Sequence, residues 1–341
     1  PSVSYHGRFG PNNFVPRTDL VDRNGELLAR DVRAYDLYVR PDRIGDRRRT
    51  ARLVAAVTGA DEARLFQIFS RSHAYVLALR QIPSEQRDAL LKSGLAGLEF
   101  ETTGKRNYPN GRMTAQVVGV TDMDDKGVSG LELGLEPQLR NADPVGRIET
   151  SLDMRVQFVL ADEVAAARND FSAKAAGGLV MDVDSGEVLG LVSVPDFDPN
   201  NRVMPKGDTM RNVMVQDVYE LGSVFKIFTF AMGTEGHTFA PDEILPIGKG
   251  YAVAGHVIHE AEKMPATLSA RDVLAQSSNI GTAQIALRSG AASQRAFLSR
   301  LGLLQPLKTE LPETARPLYP ASGHWGVMET ATIAFGHGVS V

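Results

Sequence analysis

The run Gly178-Leu179-Val180-Met181-Asp182-Val183-Asp184-Ser185-Gly186-Glu187-Val188-Leu189-Gly190-Leu191-Val192-Ser193-Val194 reads as two β-rich arms, Gly178–Asp184 and Glu187–Val194. They fold about Ser185-Gly186, where glycine supplies the positive φ that a tight hairpin turn needs. Pro195 has no N–H to give to a ladder and ends the second arm. Upstream, Asp153 stands at an N-cap position before a helix over Met154–Asn169, with Val156, Val159, Leu160, Val164 and Ala167 on one apolar face. Helix, hairpin and a helix-rich remainder imply an α+β fold, with helices packed on an antiparallel or mixed sheet.

Moving outward, the first 150 or so residues are richer in Arg, Gly and Asp, and their elements are shorter. Asn24-Gly25 inside Asp19–Ala29 signals a hairpin. Thr50–Arg71 and Ser84–Ser93 have helical spacing, and Leu95–Thr103 alternates like a strand. Asp122–Gly130 is a polar loop, and Asn141–Gly146, with Asp143-Pro144, reads as a boundary. The chain therefore divides into an N-terminal domain over 1–150 and a second over 151–341. No internal repeat is present.

Composition removes several classes. With 37 basic and 41 acidic side chains the net charge is −4, and no polybasic block extends beyond Arg47-Arg48-Arg49, so nucleic acid is a poor partner. No apolar run approaches the ~18 residues of a membrane helix. With 0 Cys in 341 residues there is neither a disulfide framework nor a thiolate metal site, which mildly favours a compartment outside the cytosol. The chain opens at Pro1 without Met or a signal-like segment. The expectation is that an upstream piece, with an anchor or signal, has been removed.

Downstream of the hairpin lies Glu220-Leu221-Gly222-Ser223-Val224-Phe225-Lys226-Ile227-Phe228-Thr229-Phe230. Ser223 and Lys226, at i and i+3, share a helix face. A serine hydroxyl needs a neighbouring base, and a lysine desolvated among Phe225, Phe228 and Phe230 has its pKa lowered toward that task. Free N–H groups at the helix start suit a developing oxyanion, and Gly222 permits close approach of a substrate. Alone, Ser-x-x-Lys is also what a buried helix with a snorkelling lysine looks like.

Ser277-Ser278-Asn279 follows 54 residues after Ser223. Ser269 with Asp272 forms a capping box for a helix over Ala270–Ala275, and a second helix runs from about Ile280 to Arg288, stopping at Gly290. The Ser-Ser-Asn turn between them projects side chains into a cleft, where Ser277 can pass a proton from Lys226 to a leaving group and Asn279 can bind an amide. The structural alternative is that Ser278 and Asn279 cap the second helix. Ser-x-x-Lys followed by Ser-x-Asn is the order used by β-lactamases and penicillin-binding proteins.

The sequence resembles the class B penicillin-binding proteins, and most closely the division-specific (septal) peptidoglycan D,D-transpeptidases of alphaproteobacteria. The likeness spans nearly the whole chain. It runs through Asp22-Arg23-Asn24-Gly25, Leu28-Ala29, Tyr108-Pro109-Asn110-Gly111 and Gly127-Val128-Ser129-Gly130-Leu131-Glu132. It continues through Pro195-Asp196-Phe197-Asp198-Pro199-Asn200, the Ser223 motif and Ser277-Ser278-Asn279-Ile280-Gly281-Thr282, then Lys308-Thr309-Glu310-Leu311-Pro312-Glu313 and Phe335-Gly336-His337-Gly338.

The resemblance implies an elongated, non-catalytic pedestal of dimerisation type and a transpeptidase domain with helices around an antiparallel sheet. Ser223 would attack the D-Ala–D-Ala carbonyl of a stem peptide, with Lys226 as base and Ser277 as proton relay. Asn279, Gly222 and Ser278 would contact the substrate, and β-lactams would acylate Ser223. It implies no cofactor or metal. It also implies an inner-membrane anchor outside this chain, a periplasmic catalytic domain, and divisome membrane partners including a lipid II glycosyltransferase.

Two departures stand against it. Leu221 occupies a position that is often Pro in related enzymes. The family's third motif, Lys-Ser/Thr-Gly, does not follow Ser277: Lys92-Ser93-Gly94 lies upstream, and Lys308-Thr309 is followed by Glu310. The expectation is a transpeptidase domain whose C-terminal part is missing. The alternatives are a catalytically impaired scaffold or sensor, an elongation-type class B transpeptidase, or a serine β-lactamase, which would leave the N-terminal domain unexplained. Asp122–Gly127 fails the calcium-loop spacing, His256 and His259 fail the zinc-helix spacing, and Arg43–Arg49 reads as a solvated face.

Overall fold

A computed structural model describes residues 16–71, 75–141, 146–201, 208–321 and 324–341. Part of the expected boundary at Asn141–Gly146 lies outside the described residues. The chain forms two compact units, residues 1–214 with 310–312 and residues 215–309 with 313–341.

The first unit is built on a five-stranded sheet. β1 (Asp19–Val21) turns through Asn24-Gly25 into the long β2 (Leu27–Val39), as expected, with Gly25 at φ +86°. Asp22 Oδ1 shapes that turn by accepting from the amides of Asn24 and Glu26. The expected helical stretch Thr50–Arg71 is two helices, α1 (Arg47–Thr58) and α2 (Glu62–Phe69). Gly59, at φ +74°, closes the first and Asp61 caps the second by accepting from Arg64 N. β3 (Val76–Ile82), α3 (Ser84–Lys92) and β4 (Leu98–Asn107) follow, and β2 pairs antiparallel with both β3 and β4. Their shared core holds Tyr35, Leu37, Val54, Leu65, Phe69 and Leu90.

Three short helices come next, α4 (Ala115–Val118), α5 (Gly130–Gly134) and α6 (Glu136–Asn141), and then β5 (Arg147–Glu149), parallel to β1. Here the quoted motifs find partners. The Glu132 carboxylate is fully buried between two guanidiniums, Arg17 at 2.8 Å and Arg106 at 2.6 Å, and Arg106 also reaches Asp31 at 3.3 Å. Tyr108 exchanges two hydrogen bonds with the Asn200 side chain.

α7 (Met154–Asp170) starts where expected, with Asp153 accepting from Arg155 N and Asp22 Oδ2 accepting from Met154 N. Its buried face differs from the apolar reading: Val159 is 58% exposed, whereas Gln157 is fully buried. The Gln157 amide donates to Leu191 O and Met113 O and accepts from Leu191 N, so a polar side chain with all its bonds made takes the inward position. The hairpin is β6 (Ala176–Met181) with β7 (Val188–Val194), antiparallel as read. Val192 and Val194 pack under α7 beside Val164, while Leu179, Val180 and Met181 of β6 are exposed. Among the described residues β6 pairs with β7 alone.

The second unit contains α8 (Lys226–Glu235), two ribbons, and a helical remainder. The ribbons are β8 (Ile244–Pro246) with β11 (Thr267–Ser269), and β9 (Tyr251–Val253) with β10 (His256–Ile258). α9 (Ala270–Ala275) carries the expected cap, Ser269 Oγ accepting from Asp272 N at 3.1 Å. The helix expected to stop at Gly290 does so: the backbone there is non-helical (φ +81°, ψ 161°), and a second helix follows across the kink, the pair together forming α10 (Asn279–Arg300); α11 (Val327–Ile333) completes the set. Phe230, Leu245, Val273, Ile280, Ala283 and Ala331 make one core; Phe225, Leu298, Trp325 and Ile333 make another. No helix among the described residues is long and apolar enough to cross a membrane.

Candidate active site

Ser223 and Lys226 sit on one continuous piece of helix: a 3-10 turn over Gly222–Phe225 leads directly into α8. Ser223 is exposed, whereas Lys226 is 1% exposed; the neighbouring Phe225 and Phe228 rings meet edge to face at 5.1 Å. The turn is fixed from the other end of the unit. Gly222, at φ +54°, donates its N–H to Gly336 O at 3.3 Å. Gly336, at φ +82°, lies so close that a Cβ on it would fall 2.2 Å from Gly222 O. Thr229 Oγ1 donates to Ala334 O at 2.8 Å and ties α8 to the end of α11.

The Ser277-Ser278-Asn279 turn joins α9 to α10. The Lys226 amine donates to both the carbonyl oxygen of Ser277, at 2.5 Å, and its Oγ, at 2.9 Å. Ser277 adopts φ +60°, a left-handed conformation that costs a non-glycine residue roughly 1–2 kcal/mol and has to be held by its surroundings. Ser278 is fully buried, and its Oγ accepts from Gly281 N at 3.0 Å as the N-cap of α10. Asn279 is half-buried, its Nδ2 donating to His259 O at 3.4 Å.

Glu260 was not singled out in the sequence. Its carboxylate accepts from Ser278 Oγ at 2.5 Å, from Asn279 N at 2.7 Å and from Ile280 N at 3.2 Å. A glutamate in the loop after β10, outside any helical period, gives no cue that it caps a helix beginning 19 residues later. Burial pushes the Lys226 ammonium down to about 8, and the negative charge of Glu260 opposes that push. At pH 7 roughly one Lys226 in ten is then neutral and able to take a proton. The structure thus brings Lys226, Ser277, Ser278 and Asn279 into one network and sets Ser223 one helical turn from Lys226. Lys92-Ser93-Gly94 lies elsewhere: it closes α3 in the first unit, with Ser93 Oγ donating to Leu90 O.

Known proteins match along the same path. The profile of the Penicillin-binding Protein dimerisation domain matches residues 12–160, and that of the Penicillin binding protein transpeptidase domain matches residues 176–341. The chain is 37% identical over 329 residues to the probable peptidoglycan D,D-transpeptidase FtsI of Caulobacter vibrioides, covering 95% of this chain and 55% of that protein. It is 26% identical to the peptidoglycan D,D-transpeptidase FtsI of Escherichia coli, covering 94% and 60%. The chain therefore spans a little over half the length of these relatives. In fold it is similar to a peptidoglycan synthetase from Bifidobacterium adolescentis, at a TM-score of 0.72 and 20% identity, over 96% of this chain and 69% of that one. It is equally similar to Penicillin Binding Protein 2X from Streptococcus thermophilus, at a TM-score of 0.72 and 19% identity, over 96% and 56%. With a dimerisation domain followed by a transpeptidase domain across most of its sequence, the chain belongs to the class B penicillin-binding proteins.

Proposed function

We propose that the protein is the septal peptidoglycan D,D-transpeptidase of its cell, and that Ser223 is its nucleophile. The observation that carries this is the buried Lys226 amine, hydrogen-bonded to Ser277 Oγ and three residues after an exposed serine on the same helical segment. Lys226, with a pKa near 8, takes the Ser223 proton as the hydroxyl attacks the D-Ala–D-Ala carbonyl. Ser277 relays that proton to the departing D-Ala, and the amine of a second stem peptide then attacks the acyl-enzyme. Asn279, at the start of α10, orients the peptide amide, and the Gly222 backbone borders the reacting carbonyl. The buried Ser278 holds the turn that presents them. A scaffold without catalysis would have no use for a desolvated lysine paired to a strained serine.

The domain assignment is a dimerisation-type pedestal over 1–150 and a transpeptidase domain over 151–341. The cellular setting is an inner-membrane anchor outside this sequence, a periplasmic catalytic domain, and divisome membrane partners including a lipid II glycosyltransferase. The FtsI names of the relatives support the division role over the elongation one.

Incubation of the protein with excess benzylpenicillin, followed by intact-mass spectrometry beside Ser223→Ala, tests the chemistry. The expected result is a stable gain of one drug mass, absent in the variant and forming faster as pH rises from 7 to 9. An unacylated protein, or an adduct that survives Ser223→Ala, overturns the assignment.

A further inference from the structure

We infer that Glu260 is a positioning residue of the active site: its carboxylate braces the Ser277-Ser278-Asn279 turn and supplies the counter-charge for Lys226. This deepens the proposed acyl-transfer reading and rests on it. The argument starts from unpaired donors. The first amides of α10 have no partner within the helix and need acceptors from outside. Glu260 accepts from two of them, Asn279 N and Ile280 N, and Ser278 Oγ accepts from the third, Gly281 N. The Ser278 hydroxyl is itself oriented by donating to Glu260. A carboxylate also suits the positive end of a helix dipole.

The consequence falls on Ser277, one residue before this cap. Its left-handed backbone aims both its carbonyl oxygen and its hydroxyl at the Lys226 amine. A turn held only by residues within it would relax toward ordinary φ values; Glu260 clamps it from a separate segment, the loop after β10. The same carboxylate lies near enough to Lys226 for its charge to oppose the amine's desolvation. Glu260 thus couples where the lysine points to how readily it is protonated, without touching the reacting atoms.

Second-order acylation by benzylpenicillin, measured from pH 6 to 10 on the intact protein, separates this role from simple capping. Glu260→Gln keeps the size, removes the charge and presents an N–H to the Asn279 amide. It should acylate about tenfold or more slowly at its plateau, the scale expected for losing hydrogen bonds to a charged group. Its acid limb should also move to lower pH, because Lys226 loses the charge that held its pKa up. Glu260→Asp should restore the limb while recovering only part of the rate. Ser278→Ala, which keeps the charge, should lose rate with its limb in place.

Wild-type rate and limb in Glu260→Gln overturn the inference. So does a loss of rate with an unmoved limb, since a structural cap alone would give that. Failure of the wild-type protein to acylate at Ser223 would instead strike the proposed function, so the two readings fail separately.

Discussion

Asp125, at φ +62°, has one carboxylate oxygen buried with no hydrogen-bond partner, near Arg17 and Arg106. Burial, and then the negative charge of Asp31, push its carboxyl up to about 7 against the pull of the two arginines. A carboxyl raised in the folded state binds more protons there than in the unfolded chain. Stability is therefore lost as pH rises from about 4 to about 7. Asn is neutral at every pH and tolerates the left-handed region. Asp125→Asn should raise the melting temperature at pH 8 and change it little at pH 4, which calorimetry at the two pH values would check; an equal shift at both would remove the titration argument. At this scale the sequence was informative only where chemistry follows spacing. Ser223 and Lys226 share a face by periodicity, and Ser277 and Asn279 stand out because they follow in the right order. Glu260 and the Asp31–Arg106–Glu132 contacts join residues far apart in the chain, and no local pattern encodes such meetings.

Among the elements, the turn carrying Ser223 depends on two glycine backbones in contact. Gly336→Ala would place a Cβ 2.2 Å from Gly222 O at a residue with φ +82°. It should lower unfolding stability by about 2 kcal/mol or more and slow benzylpenicillin acylation at least tenfold. Gly302, at φ +80°, has open space around its missing Cβ. Gly302→Ala should cost about 1 kcal/mol and leave acylation intact. Equal losses in the two variants, read by urea unfolding and acylation rates, would show that backbone conformation rather than the contact governs the site. Hairpin turns and caps were legible because Asn24-Gly25, Ser185-Gly186, Asp153 and Ser269 act within a few residues of themselves. The buried face of α7 was not, because Gln157 earns its place through bonds to Met113 and Leu191. The stop at Gly290 was legible, because a left-handed glycine ends the first helix of α10 locally, whereas the second helix after the kink was not.

Over the whole molecule, the first unit is tied together by buried charge. Glu132 receives Arg17 and Arg106, both essentially without solvent, from 115 and 26 residues earlier in the sequence. Glu132→Ala would leave Arg106 with only Asp31 and Arg17 with only Glu136 as carboxylate partners in the interior, and should lower stability by roughly 3 kcal/mol. Chemical denaturation would measure it, and a loss below about 1 kcal/mol would mean that water reaches the arginines. The exposed side of β6 carries a different lesson, about the molecule among its own copies. Leu179, Val180 and Met181 line a strand whose outer backbone edge has no partner among the described residues. No charged side chain interrupts the run Ala176–Met181, so nothing in the strand itself refuses a neighbouring strand. That edge is therefore a point at which a further strand can be added to the hairpin. One lysine there, as in Val180→Lys, would act as a gatekeeper against it.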